Sequence, residues 1–577
     1  MDSFTSSSFA SKKILYGVIT VCALASIAGL PVEGTQVDDP VAVSANVTVG
    51  GLTFQLSLNS SAFVGELNIT RSDFPSDFMF GVGTSAAQIE GSSKEGGRGP
   101  SIWDHYVEKN PGKIQNSNKF SAAIDSYKRY KEDIKILKDL GVNSYRFSIS
   151  WSRILPNGSL SGGINQEGID HYNSMIDELT RNGIEPFVTL LHFDLPQALE
   201  EKYGGYLNRT FVNDFKDYSE LCFKTFGDRV KNWFTINEPN IPAVFGYELG
   251  IAPPGRCSFP KPFCVFGLPP PEGPCFVSAG PCTSGGNSST EPYIAAHNLI
   301  LAHASAAKLY REKYQAQQKG EIGVVLVSEY YVPYSESPED IAATARQFDF
   351  QLGWFLEPFV YGDYPKSMKE LVKERLPTFS AQEKIMIKGS LDFVGINYYK
   401  SLYVKNKQPS STETPRYSLE IAAENIEVDK NGFSLGLDHG HWPEGLEKLM
   451  LYIKQKYQNP KIYISENGAP EQRNDNVSLA ARTNDPYRIS FLVRHLYRLH
   501  KAIKSGVNIK GYFYWTLFDD FEWGMGLHER YGLYYIDFND NFKRIPNLSA
   551  KWFQAFLKSN QTQANQGLRL LYQLLGT

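Results

Sequence analysis

From about Asp73 onward the chain repeats one unit. A segment with apolar residues at helical spacing is followed by a glycine and then by a run rich in β-branched and aromatic residues. Four copies are clear. Tyr127 to Leu140 carries the helical spacing, Gly141 can close the helix, and Val142 to Ile149 reads as a strand. Tyr172 to Leu179 with Gly183 leads into Ile184 to Leu191, and Phe215 to Phe226 with Gly227 leads into Val230 to Asn237. Phe491 to Ile503 with Gly506 leads into Ile509 to Leu517.

The strand segments are nearly continuous apolar runs, the signature of burial on both faces in a parallel sheet. Helix and strand in alternation over several hundred residues mean an α/β fold. An open doubly wound sheet alternates in the same way, but no glycine fingerprint opens a helix after the first strand, so a closed (β/α)8 TIM barrel is expected. The expected organisation is a targeting segment at 1–34, a polar and flexible or propeptide-like lead-in at 35–72, one barrel with long βα loops at 73–560, and a tail at 561–577. In a barrel the chemistry sits where strands end, on the C-terminal face.

Composition narrows the partners. Of 577 residues 42% are hydrophobic and 13% aromatic, and the net charge is −4, so a large core can form and nothing marks a nucleic-acid or membrane-surface binder. The composition leaves homo-oligomer formation open. Lys12 and Lys13 precede an apolar run from Ile14 to Leu30, which predicts a signal peptide and a place in the secretory pathway: extracellular, cell wall or vacuole. The Ser-rich, acid-poor start makes plastid import the alternative. Cys222 lies alone on a helical pattern. Cys257, Cys264, Cys275 and Cys282 crowd one Pro/Gly-rich loop without the spacing of a zinc site, so disulfides are expected there, with three pairings open. Sequons such as those at Asn208, Asn287 and Asn476 fit the same compartment.

Polar residues gather at the predicted strand ends: Arg146, His192, Asn237 with Glu238, Asn397 with Tyr399, Glu466, and Trp515 with Glu522. Hydrolysing a glycosidic bond with retention needs one carboxylate to attack the anomeric carbon and one carboxylic acid to protonate the leaving oxygen, about 5 Å apart. WFTINEP puts Glu238 directly after a strand, and IYISENG does the same for Glu466. Arg146 and Tyr399 are expected to keep Glu466 charged, since a cation and a hydroxyl donor both favour a carboxylate. The charge of Glu466 should in turn keep Glu238 protonated.

These segments resemble family 1 glycoside hydrolases of the plant β-glucosidase type, from about Phe74 to Leu557. FMFGVGTSAAQIEG is similar to that family's N-terminal signature, TINEP to its acid/base motif and ISENG to its nucleophile motif, and GYFYWTLFDDFEWGMGLHERYGLYYIDF extends the likeness. The resemblance implies a sugar pocket in which Gln88, His192, Asn237, Glu522 and Trp523 bond the hydroxyls, Trp515 forms an apolar floor, and Asn397 and Tyr399 support the nucleophile. It also implies that Cys257 pairs with Cys282, leaving Cys264 with Cys275. Glu238 stands where thioglucosidases of the family carry glutamine, which implies O-glycoside chemistry. Ala87, Lys128, Asn547 and the segment LDHGHWPEGL depart from the family pattern away from the catalytic pair. A small-molecule β-glycoside is the expected substrate, and the carboxylate pair suffices without metal or organic cofactor. Transglycosidase activity, or a catalytically silent sugar-binding role, are the alternatives.

Overall fold

Gly141 ends the helix Ser126–Leu140 by taking φ +88°, and its N–H bonds the carbonyls of Leu137 and Lys138. A side chain at this left-handed position would be strained. Three residues later the strand Ser144–Ser148 begins. The other predicted pairs form likewise: helix Gln166–Arg181 before strand Glu185–Leu191, Thr210–Phe226 before Asn232–Asn237, and Pro486–Lys504 before Ile509–Trp515. Helix Gln166–Arg181 buries Ile169, Tyr172, Ile176 and Leu179 along one stripe. Burial of each such side chain contributes about 1.5–3 kcal/mol, which outweighs the weak helix propensity of the β-branched residues among them.

The computed structural model describes residues 69–559, apart from 116–122, 260–262, 268–274, 281, 283, 409–412 and 437–440. It also gives the backbone of the strands Ala42–Val49 and Leu52–Asn59, and of Phe263–Gly267 and Cys275–Ala279 only the backbone. Eight parallel strands close a barrel in sequence order. They are β1 Met79–Gly83, β2 Ser144–Ser148, β3 Glu185–Leu191, β4 Asn232–Asn237, β5 Glu321–Val327, β6 Phe393–Asn397, β7 Ile462–Asn467 and β8 Ile509–Trp515. The barrel interior is filled by Phe187, Phe234, Val325, Phe393, Tyr463 and Phe513. Gly81 makes room for one of these rings, since a Cβ there would lie 2.5 Å from Phe513. No helix among the described residues is long and apolar enough to cross a membrane.

Strands β4 and β7 each carry an extra residue near their C-terminal ends. Along β7, Ile396 of β6 opposes Ile464 but Asn397 opposes Glu466, so Ser465 bulges out of register. Along β4, Phe234 opposes Gly323 of β5 while Asn237 opposes Val325, so one residue is again in excess. Neighbouring residues of a regular strand face opposite sides, and a bulge re-aims them.

Within the stretch expected to be a polar lead-in, Ala42–Val49 and Leu52–Asn59 pair as antiparallel strands. The register pairs Val43 with Leu58, Ala45 with Leu56, Val47 with Phe54 and Val49 with Leu52. Along the sequence these apolar residues alternate with polar ones, which is the period of a strand. Cys257 and Cys282 are joined by a disulfide. The pairing expected for Cys264 and Cys275 falls on side chains outside the described residues, as do the targeting segment and the C-terminal tail. Cys222 is a buried free thiol on the helix Thr210–Phe226.

Candidate active site

All the residues singled out at strand ends come to the C-terminal mouth of the barrel. Glu466 is next to last in β7 and 4% exposed; Glu238 directly follows β4 and is 9% exposed. The extra residue in each strand sets these side chains, since both glutamates lie just after a point where the register has slipped. Glu238 also takes φ +41°, a left-handed conformation that costs a non-glycine residue about 1–3 kcal/mol. Its N–H bonds the Val325 carbonyl, and its carbonyl accepts from Ile241, so hydrogen bonds on both sides hold the strained turn.

Glu466 is held by two donors. Arg146 Nη1 reaches Oε1 at 2.5 Å and the Tyr399 hydroxyl reaches Oε2 at 2.6 Å. Arg146 is fully buried, and its Nη1 also bonds the Ser465 carbonyl. Its Nη2 donates to Asn237 Oδ1 at 2.7 Å. Burial first and the Glu466 charge second push the Tyr399 phenol well up, so it keeps its proton and donates.

Glu238 has a different environment. Burial, followed by the nearby charge of Glu466, raises it to about 8, against the opposing effects of an Asn397 hydrogen bond and the Arg146 charge. Asn397, expected beside the nucleophile, instead donates from Nδ2 to Glu238 Oε1 at 2.6 Å and to Asn237 Oδ1 at 3.3 Å. The seat of β6 between β5 and β7 brings Asn397 to that side, a tertiary fact without a local sequence signal.

The sugar-binding candidates surround this pair. Gln88, on the short helix Ala86–Ile89 after β1, donates to Glu522 Oε2 at 3.1 Å and to the Phe521 carbonyl at 3.2 Å. Ser85 donates to Gln88 Oε1 and so fixes that amide. Burial and the neighbouring acid Asp520 hold Glu522 well above the usual carboxylate range. His192 lies near Asn237, with Nε2 3.2 Å from Nδ2, and burial together with Arg146 keeps its ring neutral. Its ring stacks on Trp515, centroids 5.7 Å apart, and on Trp523, 6.0 Å apart. Amides, carboxyls and a neutral imidazole beside indole faces suit a ring of hydroxyls over apolar C–H bonds. Around Trp523 an apolar cluster of Trp103, Phe193 and Phe521 has Ile241, Phe245 and Leu527 half-buried against it. Sequence reasoning missed Ser85, Ser465 and Asp520. Of these only Ser465 carried a signal, its place directly before Glu466.

A parallel barrel that presents two buried glutamates in contrasting electrostatic settings at its mouth, beside a polar and aromatic cradle, has the make-up of a glycoside hydrolase. The comparisons with known proteins point the same way. The model of glycosyl hydrolase family 1 matches residues 70–562. Beta-glucosidase 24 of Oryza sativa subsp. japonica is 49% identical over 507 residues, 87% of this chain and 96% of its own length. Raucaffricine-O-beta-D-glucosidase of Rauvolfia serpentina is 48% identical over 500 residues, 85% of this chain and 92% of its own. The crystal structure of rice Os3BGlu6 beta-glucosidase matches with a TM-score of 0.80 at 43% identity, covering 85% of this chain and all (100%) of that one. The chain therefore belongs to glycosyl hydrolase family 1, as a glycoside hydrolase of the β-glucosidase type.

Proposed function

We propose that the protein hydrolyses small β-glucosides with an apolar aglycone, with Glu466 as nucleophile and Glu238 as acid/base. Glu466 attacks the anomeric carbon while Glu238 gives its proton to the departing glycosidic oxygen, leaving a glycosyl ester on Glu466 and a free aglycone alcohol. The observation that carries this division of labour is the contrast between the two glutamates: two donors grip Glu466, whereas burial and a like charge keep the proton on Glu238. Once Glu466 is esterified its charge is gone, Glu238 loses the neighbour that held its proton, and it can take a proton from the attacking water. That water releases glucose and restores both groups.

The Phe193, Phe245 and Leu527 side chains around Trp523 support the apolar aglycone. Two similar proteins are named as β-glucosidases of raucaffricine and of a furostanol glycoside, and a glucoside substrate fits the same reading. The disulfide and the N-terminal apolar run support passage through the secretory pathway. Release of p-nitrophenol from its β-D-glucoside, with Glu466→Gln as control, tests the reaction. Turnover by the wild type and its loss in the variant are expected, and no release from any β-glycoside overturns the proposal. The same assay with an added alcohol separates hydrolysis from transfer, because a transglycosidase would return an alkyl glucoside in place of glucose.

A further inference from the structure

Ser465 takes no part in the reaction just described, yet it is fully buried and bulges from β7 beside Asn397. Its hydroxyl donates to Asn397 Oδ1 at 2.7 Å. The direction of that bond follows from the groups around it. A guanidinium only donates, so Asn237 must meet Arg146 with Oδ1, as it does at 2.7 Å. The same oxygen takes Asn397 Nδ2 at 3.3 Å, and Nδ2 also reaches Glu238 at 2.6 Å. The nitrogen of Asn397 therefore faces the glutamate, and its oxygen is turned away into the barrel. There the Ser465 hydroxyl meets it, in a space that Gly395 leaves open: a Cβ on Gly395 would lie 2.7 Å from Ser465 Oγ.

We propose that Ser465 is a positioning residue for the acid/base Glu238, acting through Asn397: its hydroxyl locks the amide so that Nδ2 stays on the Glu238 carboxyl and aims it at the leaving oxygen. The residue next to the nucleophile in sequence thus serves the other glutamate. This rests on the reading of Glu238 as acid/base. Without the hydroxyl, Asn397 Oδ1 is a buried acceptor lacking its donor, and the amide can turn its oxygen toward Glu238. An amide nitrogen favours a charged carboxylate and an amide oxygen favours a protonated one, so Glu238 then holds its proton more tightly and aims it less well.

The test compares kcat/KM for phenyl β-D-glucoside, whose leaving oxygen needs a proton, with that for 2,4-dinitrophenyl β-D-glucoside, which leaves unaided. In Ser465→Ala the phenyl substrate should lose about tenfold, the worth of one buried hydrogen bond, while the dinitrophenyl substrate changes less than about twofold. The alkaline limb of the phenyl profile should move to higher pH. Ser465→Thr, which keeps the hydroxyl, should restore both. In an Asn397→Ala background the serine change should add nothing, because the amide through which it acts is gone. Equal losses on both substrates with an unmoved limb, or additive losses in the double variant, would overturn the proposal. Should the alanine variant not fold, Ser465→Cys, a much weaker donor, reads the same split between substrates. Wild-type protein that turns over neither glucoside would instead sink the β-glucosidase reading, a result distinct from any of these.

Discussion

Tyr399→Phe isolates one hydrogen bond at Glu466, the proposed nucleophile. The phenol reaches Glu466 Oε2 at 2.6 Å, and the ring, which meets Tyr531 edge-on at 5.9 Å, is kept by phenylalanine. A buried hydrogen bond to a charged group contributes about 1.5–3 kcal/mol, or about 10- to 150-fold in rate at 1.36 kcal/mol per decade. The bond is strongest when Glu466 is an anion and weakest when it is an ester. Formation of the ester gives that stabilisation up, while breakdown regains it as Glu466 leaves with its charge. The loss should therefore fall on breakdown of the glycosyl-enzyme. With 2,4-dinitrophenyl β-D-glucoside, kcat should drop by about 10- to 150-fold and KM should fall with it, so that kcat/KM changes far less. Rapid mixing should then reveal a burst of dinitrophenol as the ester accumulates. An unchanged kcat with a raised KM and no burst, so that the loss falls on kcat/KM alone, would refute the reasoning and assign Tyr399 to substrate binding alone.

Three further expectations follow from the same geometry. As the proposed acid Glu238 would act in its protonated form, and it is raised to about 8, so that form prevails below this pH and is lost above it; kcat/KM should decline as pH rises through about 8, and a limb near the ordinary value of about 4.3 would contradict the arrangement. Glu238→Gln should abolish that limb and slow phenyl glucoside far more than dinitrophenyl glucoside, a pattern absent if another group supplies the proton. Gly395→Ala puts a Cβ 2.7 Å from Ser465 Oγ and 2.8 Å from the Phe234 ring, and this overpacking should cost about 1–3 kcal/mol in denaturant unfolding; an unchanged midpoint would mean the barrel centre yields freely.

The parts of the molecule legible in the sequence are those fixed by neighbours along the chain. The helix ending at Gly141 could be read because a left-handed glycine closes it locally, and the β3 and β8 runs because burial on both faces leaves them mostly apolar. Glu238 and Glu466 stood out for the same reason, as charges at the end of apolar segments. The partner of Asn397 was not legible, because whether its amide meets Glu238 or Glu466 depends on how β6 is seated between β5 and β7. The strand pair from Ala42 to Asn59 was legible but hidden by its average polarity, since alternation matters there more than composition. Ser85 could not be placed, and Ser465 was marked only by its place before Glu466, as small polar residues acquire a task only from the amide they face.

The extra residues in β4 and β7 make the catalytic chemistry depend on counting. Deleting one residue from the stretch Ile464–Ser465 would restore an unbroken ladder with β6, a gain by the usual measures of sheet regularity. It would also turn Glu466 away from Arg146 and Tyr399, so the more regular protein would be the inactive one. Length changes should therefore be tolerated in the outer loops and forbidden across these few positions, where a perfect sheet and a working enzyme are mutually exclusive.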